Sequence, residues 1–247
     1  MTNNFNSNGN SNNLKTIAYR DIIDLTHAIH PQIPIWPGDP APEFEIVSEI
    51  DKNGYFLRKF SMGEHSGTHI NAPNTFDPAG ASVDSCAPQS LVLPGIAIDL
   101  RDQCLANPDY TLTIDDILNW ERQHKFIEPE NLILLYTGWQ AKWHDGRAFF
   151  NPDETGVCHF PGFGRAATQF LLEERSIAGI GIDTHGVDPG QDASFAVNKM
   201  VLQQQRIVLE NLANLHFLPA ADFTLAIGIL RLLGGSGSPV SVLAFVA

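Results

Sequence analysis

Two histidines stand four residues apart in the segment Glu64-His65-Ser66-Gly67-Thr68-His69-Ile70-Asn71-Ala72-Pro73-Asn74-Thr75-Phe76. An i, i+4 pair can share a helical face, but Gly67, Thr68 and Pro73 oppose a helix here. In an extended chain successive side chains alternate, so residues 65, 69, 71 and 75 share one face. A turn at Asn71–Pro73 then converges two imidazoles and an amide on one point, with Gly67 leaving room for a ligand or an ion. Imidazole suits Zn, Mn, Fe, Cu and Ni alike, so the spacing does not choose the metal. Against this stands the plainer reading of two surface or core histidines. Glu64 falls on the opposite face and is expected in a structural salt bridge. Ser66 has no histidine and acid in triad order, which excludes a serine hydrolase.

The elements that must position these groups read as one mixed α/β domain. Apolar or alternating runs predict strands at Ile22–Thr26, Glu43–Ile50, Tyr55–Ser61, Gly95–Leu100, Leu132–Tyr136, Ala178–Asp183, Arg206–Leu209 and Val240–Val246. A helix is predicted from an N-cap at Thr113, with Asp115 and Asp116 in its first turn, to about Phe126. A second spans Arg165 to Arg175 with Ala166, Phe170 and Leu171 on its apolar face, and a shorter third covers Phe195 to Gln204. Strands outnumber helices, which predicts a large mixed sheet. The Asn-rich tail over 1–13 is expected to be disordered, leaving a single domain over 14–247.

Composition narrows the function classes. Of 247 residues, 43% are hydrophobic and 17% charged, a globular balance. The net charge of −13 argues against nucleic acid and anionic membrane surfaces as partners. The best apolar run, Leu225 to Leu233, is too short to span a bilayer and carries Arg231. Cys86, Cys104 and Cys158 fit neither a disulfide framework nor a thiolate zinc site. No basic stretch followed by an apolar one marks an export signal, so a cytoplasmic location is expected.

The histidine segment resembles the HxGTHxDxPxH signature of the putative cyclase family, metal-dependent hydrolases that include kynurenine formamidases and isatin hydrolases. The resemblance continues in order along the chain. It includes Trp36-Pro37-Gly38-Asp39-Pro40, Leu134 to Trp139, His159-Phe160-Pro161-Gly162, and Gly181-Ile182-Asp183-Thr184 with Asp188. It ends with Glu210-Asn211-Leu212, Leu218-Pro219 and a glycine-rich turn from Gly234 to Val240. It implies a cyclase-like, swivelling β/α fold, a homodimer or homotetramer, and one divalent metal ion, Zn or Mn, per chain.

Carried over residue by residue, the family's paired ligands are His65 and His69, and its glutamate is Glu210. Its aspartate ligand falls on Asn71, its catalytic histidine on Thr75, and a further histidine on Asn198. Asparagine keeps an oxygen donor but removes a charge, threonine cannot shuttle a proton near pH 7, and a two-metal arrangement loses support. The implied site is therefore mononuclear. His65, His69 and Asn71 would hold the ion, and Glu210 with His185, the residue after the GIDT motif, would handle protons. Trp36, Thr75, Phe76 and Asn198 would contact substrate, and Phe60 is a further candidate for the aromatic wall or the core. Asp183 and Asp188 are expected to order the turn around His185. The function so implied is hydrolysis of a small amide, an N-formyl aromatic amide or a lactam through a metal-activated water. The alternative is a catalytically degenerate relative that binds a small ligand or a partner in the old pocket.

Overall fold

The computed structural model describes residues 16–247, so the expectation for the tail lies outside the described residues. The strands are β1 (Asp21–Asp24), β2 (Glu43–Ser48), β3 (Leu57–Ser61), β4 (His69–Asn71), β5 (Val92–Asp99), β6 (Thr111–Leu112), β7 (Leu132–Tyr136), β8 (Gly162–Phe163), β9 (Gly179–Ile182), β10 (Ile207–Glu210), β11 (Phe223–Ile229) and β12 (Gly237–Val246). The α-helices are α1 (Ile50–Asn53), α2 (Arg101–Ala106), α3 (Ile114–Gln123), α4 (Gly146–Phe150), α5 (Arg165–Glu174) and α6 (Ala196–Gln203).

Eight strands form one sheet in the order β1-β12-β11-β5-β7-β9-β10-β4. The four inner strands β5, β7, β9 and β10 are parallel, and the remaining pairings are antiparallel. Because β4 pairs with β12 as well as β10, the sheet closes on itself like a barrel. β7 shows why the sequence folds this way. Ile133 and Leu135 face the core under the helices with Ile117, Trp120 and Leu171, while Leu132 and Leu134 face the barrel interior with Leu209, Leu225 and Val242. A strand covered on both faces reads as one continuous apolar run.

The predicted α/β class and most strands hold, and the differences have local causes. Thr113 caps α3 in a reciprocal capping box with Asp116, but the helix ends at Gln123, three residues before Phe126. In α5 the buried residues are Ala167, Thr168, Leu171 and Leu172, so the inward face is rotated by one position and Ala166 points outward. Two adjacent leucines pull that face round. The run predicted as a strand to Ile50 stops at Ser48, and Ile50 opens the single turn α1, closed by Gly54 at φ 79°. β11 occupies the start of the run noted only for its hydropathy. Phe60 belongs to neither pocket nor core: it is 56% exposed on β3 of a separate β2–β3 hairpin. The three cysteines are unpaired. No helix among the described residues is long and apolar enough to cross a membrane.

Candidate active site

The histidine segment is extended only over β4, so the single face expected for residues 65 to 75 is broken. Gly67, at φ 64°, turns the chain between His65 and His69, and Pro73–Thr75 forms a short 3-10 turn. The side chains still converge. Strand pairing sets His69 opposite Glu210 at the C-terminal end of β10, and the loop after β9 brings His185 to the same place. This is the carboxyl end of the parallel strands, where open and closed α/β sheets bind ligands. His65, His69, Asn71, Thr75, Phe76, Trp36, His185, Asn198 and Glu210, every site residue expected from the sequence, line one cavity of about 200 Å³.

A continuous hydrogen-bonded chain runs round this cavity. Nδ1–H of His69 is donated to the Gly67 carbonyl at 3.0 Å, and Nε2 lies 3.0 Å from Oε2 of Glu210. Oε1 of Glu210 accepts from the Val187 N–H at 3.1 Å and from Nδ2 of Asn198 at 2.9 Å. A carboxylate only accepts, so Asn198 is oriented with its oxygen toward Asn71, whose Nδ2 donates to it at 3.4 Å. That leaves Oδ1 of Asn71 facing Nδ1 of His65 at 2.8 Å. The orientation of both amides thus follows from one carboxylate.

Electrostatics separate the titrating groups. Burial, reinforced by the charge of His69, pushes the His185 imidazole down to about 3, so it is neutral at physiological pH. Its ring packs against Phe150 at 5.1 Å and Trp36 at 5.3 Å. Burial and His69 also lower His65. Burial would raise Glu210, but its hydrogen bond and charge interaction with His69, followed by His185, outweigh this and hold it below the usual carboxylate range. Burial pushes Asp188 up to about 7, although it accepts from the backbone N–H groups of Val197 at 2.6 Å and Asn198 at 3.1 Å. Asp188 thereby anchors the first turn of α6 rather than only the turn around His185. At the N-cap of that helix Phe195 holds a left-handed φ of 54°, a strained state for a bulky residue, and its ring meets Phe76 at 5.5 Å.

No three His, Cys, Asp or Glu side chains among the described residues are gathered tightly enough to hold an ion as they stand. The donor chemistry nevertheless fits one. With Nδ1–H of His69 committed to a carbonyl, its Nε2 faces the acceptor Glu210, and a proton or cation must lie between them. Imidazole donating its second nitrogen to a carbonyl is the usual support of a metal ligand. Two imidazoles, the Asn71 oxygen and one carboxylate make a donor set that suits a divalent transition ion.

The family described as Putative cyclase matches residues 23–189, more than half of the chain. The chain belongs to this cyclase family. Isatin hydrolase of Roseibium aggregatum is 34% identical over 243 residues, covering 92% of each chain. Kynurenine formamidase of Bacillus cereus is 29% identical over 219 residues, covering 88% of this chain and 94% of that one. Isatin hydrolase A from Ralstonia solanacearum superposes with a TM-score of 0.87 at 33% identity over 92% of each chain. A protein described as a potential metal-dependent hydrolase with cyclase activity shares the fold at 22% identity and a TM-score of 0.68, over 91% of this chain and 96% of that one.

Within this cyclase-family fold, Glu64 departs from the sequence reading, Ser236 was not singled out, and Asp183 orders more than its own turn. Glu64 forms no salt bridge among the described residues. Its Oε2 accepts from Ser236 N–H at 2.7 Å and from the Ser236 hydroxyl at 2.8 Å, because the glycine-rich turn and not a cation comes to meet it. Ser236 carried no sequence signal beyond its place between glycines. Asp183 is more than a local turn residue: it accepts from Thr137 N–H at 3.0 Å, Thr137 hydroxyl at 2.6 Å and Gln140 N–H at 3.2 Å, tying the end of β9 to the turn after β7.

Proposed function

We propose that this chain hydrolyses a C–N amide bond in a small aromatic substrate, a lactam or an N-formyl aromatic amide, with one divalent ion, Zn or Mn, held by His65, His69 and Asn71 and with Glu210 beside it as the proton acceptor. The observation that carries this reading is Nε2 of His69 set 3.0 Å from the Glu210 carboxylate while its Nδ1–H is held by the Gly67 carbonyl, in the same cavity as His65 and Asn71. The relatives' names, an isatin hydrolase and kynurenine formamidases, support the substrate class. An ion bound there would polarise the substrate carbonyl and lower the pKa of a water.

The chain's own residues supply the rest. Oε2 of Glu210 takes the proton from the attacking water, and Nδ2 of Asn198 with the Val187 N–H keeps that carboxylate aimed. His185, held neutral, offers one ring N–H or one lone pair to the substrate and takes up no second proton at pH 7. Trp36 and Phe76 form apolar walls for an aromatic ring, and Phe195 narrows the space between them. The Thr75 hydroxyl donates to the Ser236 carbonyl at 2.7 Å and leaves its oxygen to face substrate. At about 200 Å³ the cavity is below the usual size of a small-molecule pocket, roughly 300–1,000 Å³, and excludes a polypeptide.

Metal content per chain, measured on protein purified without chelators, tests this directly. About one Zn or Mn per chain is expected, together with hydrolysis of isatin or N-formyl aromatic amides. His69→Ala is expected to lose both the ion and the activity. Metal far below one per chain after incubation with each ion would overturn the mechanism.

The β2–β3 hairpin supports a homodimer as the assembly. Ile46, Ile50, Tyr55, Phe56, Leu57 and Phe60 are about half exposed on a two-stranded unit that is marginal when isolated in water. Half exposed, the three aromatic rings of roughly 150–250 Å² each offer on the order of 300 Å² before the aliphatic side chains are added, a substantial share of the roughly 800 Å² that one partner buries in a standard interface. A second copy presenting the same hairpin is the occupant that matches. Light scattering is expected to give a dimer for the native chain and a monomer for the double variant Phe56→Glu, Phe60→Glu; a native monomer would refute the interface.

A further inference from the structure

A second cavity, of about 620 Å³, lies between α2 with the residues after it and the turn that follows β7. It shares no lining residue with the active-site cavity. We propose that it binds a small aromatic carboxylate, the carboxylate on the Lys142 ammonium and the ring on Trp139, Leu105 and Pro108. The site stands on this lining, and its link to the chain's own product rests on the proposed function.

Lys142 is a cation without a partner. Its ammonium lies 3.1 Å from the ring centre of Trp139. That ring is 4% exposed and is fixed by its indole N–H, which donates to the Phe149 carbonyl at 2.6 Å. The contact uses the face of the ring and leaves the three N–H donors of the ammonium open. No carboxylate among the described residues forms an ion pair with Lys142. Burial alone moves it, holding it below the usual lysine range. Removing a charge from water without an acceptor costs free energy, and an anion at the same place removes that cost.

The neighbouring groups decide which anion. Arg101, also in the lining, is already engaged: Nε and Nη2 donate to the Asp99 carboxylate at 3.0 and 2.7 Å, and the guanidinium lies 4.7 Å over the Tyr136 ring. One free ammonium suits a single negative charge. Asp102 lines the cavity without pairing with Lys142, so it disfavours a phosphate and accepts an N–H from an amine. The Cys104 thiol, pushed up to about 12 by burial, stays protonated. The remaining surface is apolar. Leu105 is 88% exposed, a large side chain left uncovered, and Pro108 and the Trp139 ring extend the same lining. A mostly apolar cavity within the usual range of roughly 300–1,000 Å³, with a few polar groups, is the ordinary form of a small-molecule site.

Hydrolysis of a lactam adds water across its C–N bond. The acyl carbon takes the hydroxyl and the nitrogen the hydrogen, which leaves a carboxylate and an amine on one ring. Such an acid matches both polar ends of the cavity, Lys142 for the carboxylate and Asp102 for the amine.

Titration of the full chain with 2-aminobenzoate, followed by proton–nitrogen NMR, tests the site. The assigned Trp139 indole N–H is expected to shift and saturate. Lys142→Met keeps the apolar stem over the indole and is expected to weaken this binding about 10–100-fold, the worth of a hydrogen bond to a charged group. Lys142→Arg is expected to retain most of it. Aniline, which lacks the carboxylate, is expected to bind the native chain as weakly as 2-aminobenzoate binds Lys142→Met. A Trp139 resonance that stays unmoved in the native chain overturns the inference, even where the probe enters the active site. Undiminished binding in folded Lys142→Met overturns it equally, as does displacement of the probe by inorganic phosphate at equal concentration. Binding at Trp139 in a chain that hydrolyses no lactam refutes the proposed function and leaves this site standing.

Discussion

Glu210→Gln is expected to lower kcat/KM for amide hydrolysis by about 10²–10⁴-fold, the span that a positioned proton acceptor contributes. The substitution preserves shape. Its amide oxygen can still face Val187 N–H or Asn198, which accounts for Oε1 in the native chain. What it removes is the acceptor at Oε2 and the negative charge among the four donors around the cavity, His65, His69, Asn71 and Glu210. That charge is the only formal negative one among them, because Asn71 contributes none. Both losses should show separately: proton transfer in kcat at saturating metal, and ion affinity in the metal concentration needed for half-activity. A Gln variant within tenfold of native on both measures would remove Glu210 from the chemistry.

Asp183→Ala is expected to destabilise the fold by at least about 3 kcal/mol. It strands three buried donors, Thr137 N–H, Thr137 hydroxyl and Gln140 N–H, and each unsatisfied group costs about 1–3 kcal/mol. For a domain of this size that corresponds to a fall in Tm of about 6–12 °C. A thermal melt with a drop below 3 °C would show that water replaces the carboxylate. The same residue gives a pH signature. Burial pushes the Asp183 carboxyl up from 3.8 to about 6, against the pull of Thr137 and Gln140. The folded state therefore prefers the protonated acid. Its contribution is fully present below pH 3.8 and is lost as pH rises through about 6, where the unfolded chain is already ionised. Asp183→Asn, which cannot ionise, should flatten this part of the stability profile.

The sequence was most informative where one residue type does one job. The apolar run at β7 matched its strand limits, and Thr113 with Asp116 marked the start of α3, because burial and capping are local requirements. His65, His69, Asn71 and Glu210 were legible from motif and spacing, although the reason they meet is strand pairing between residues far apart in sequence. The strand β4 was legible only as an extended segment: three residues are too few for periodicity, and its place is set by two neighbours. Glu64 was misread because alternation assigned it to the opposite face without showing what waits there. Ser236 was hidden because a serine between glycines is the ordinary composition of a turn.

The short strand β4 has a consequence for how the protein is made. It is the stave that closes the barrel, gripped by β10 on one side and by Gly237–Pro239 of β12 on the other. Glu64 and Ser236, which meet beside it, are 172 positions apart. A chain leaving the ribosome therefore displays both histidines long before the partners that orient them exist. Contacts of such long sequence separation form late. Closure of the barrel and completion of the donor set are then a single late event, and uptake of the proposed ion would follow release of the chain rather than accompany its synthesis.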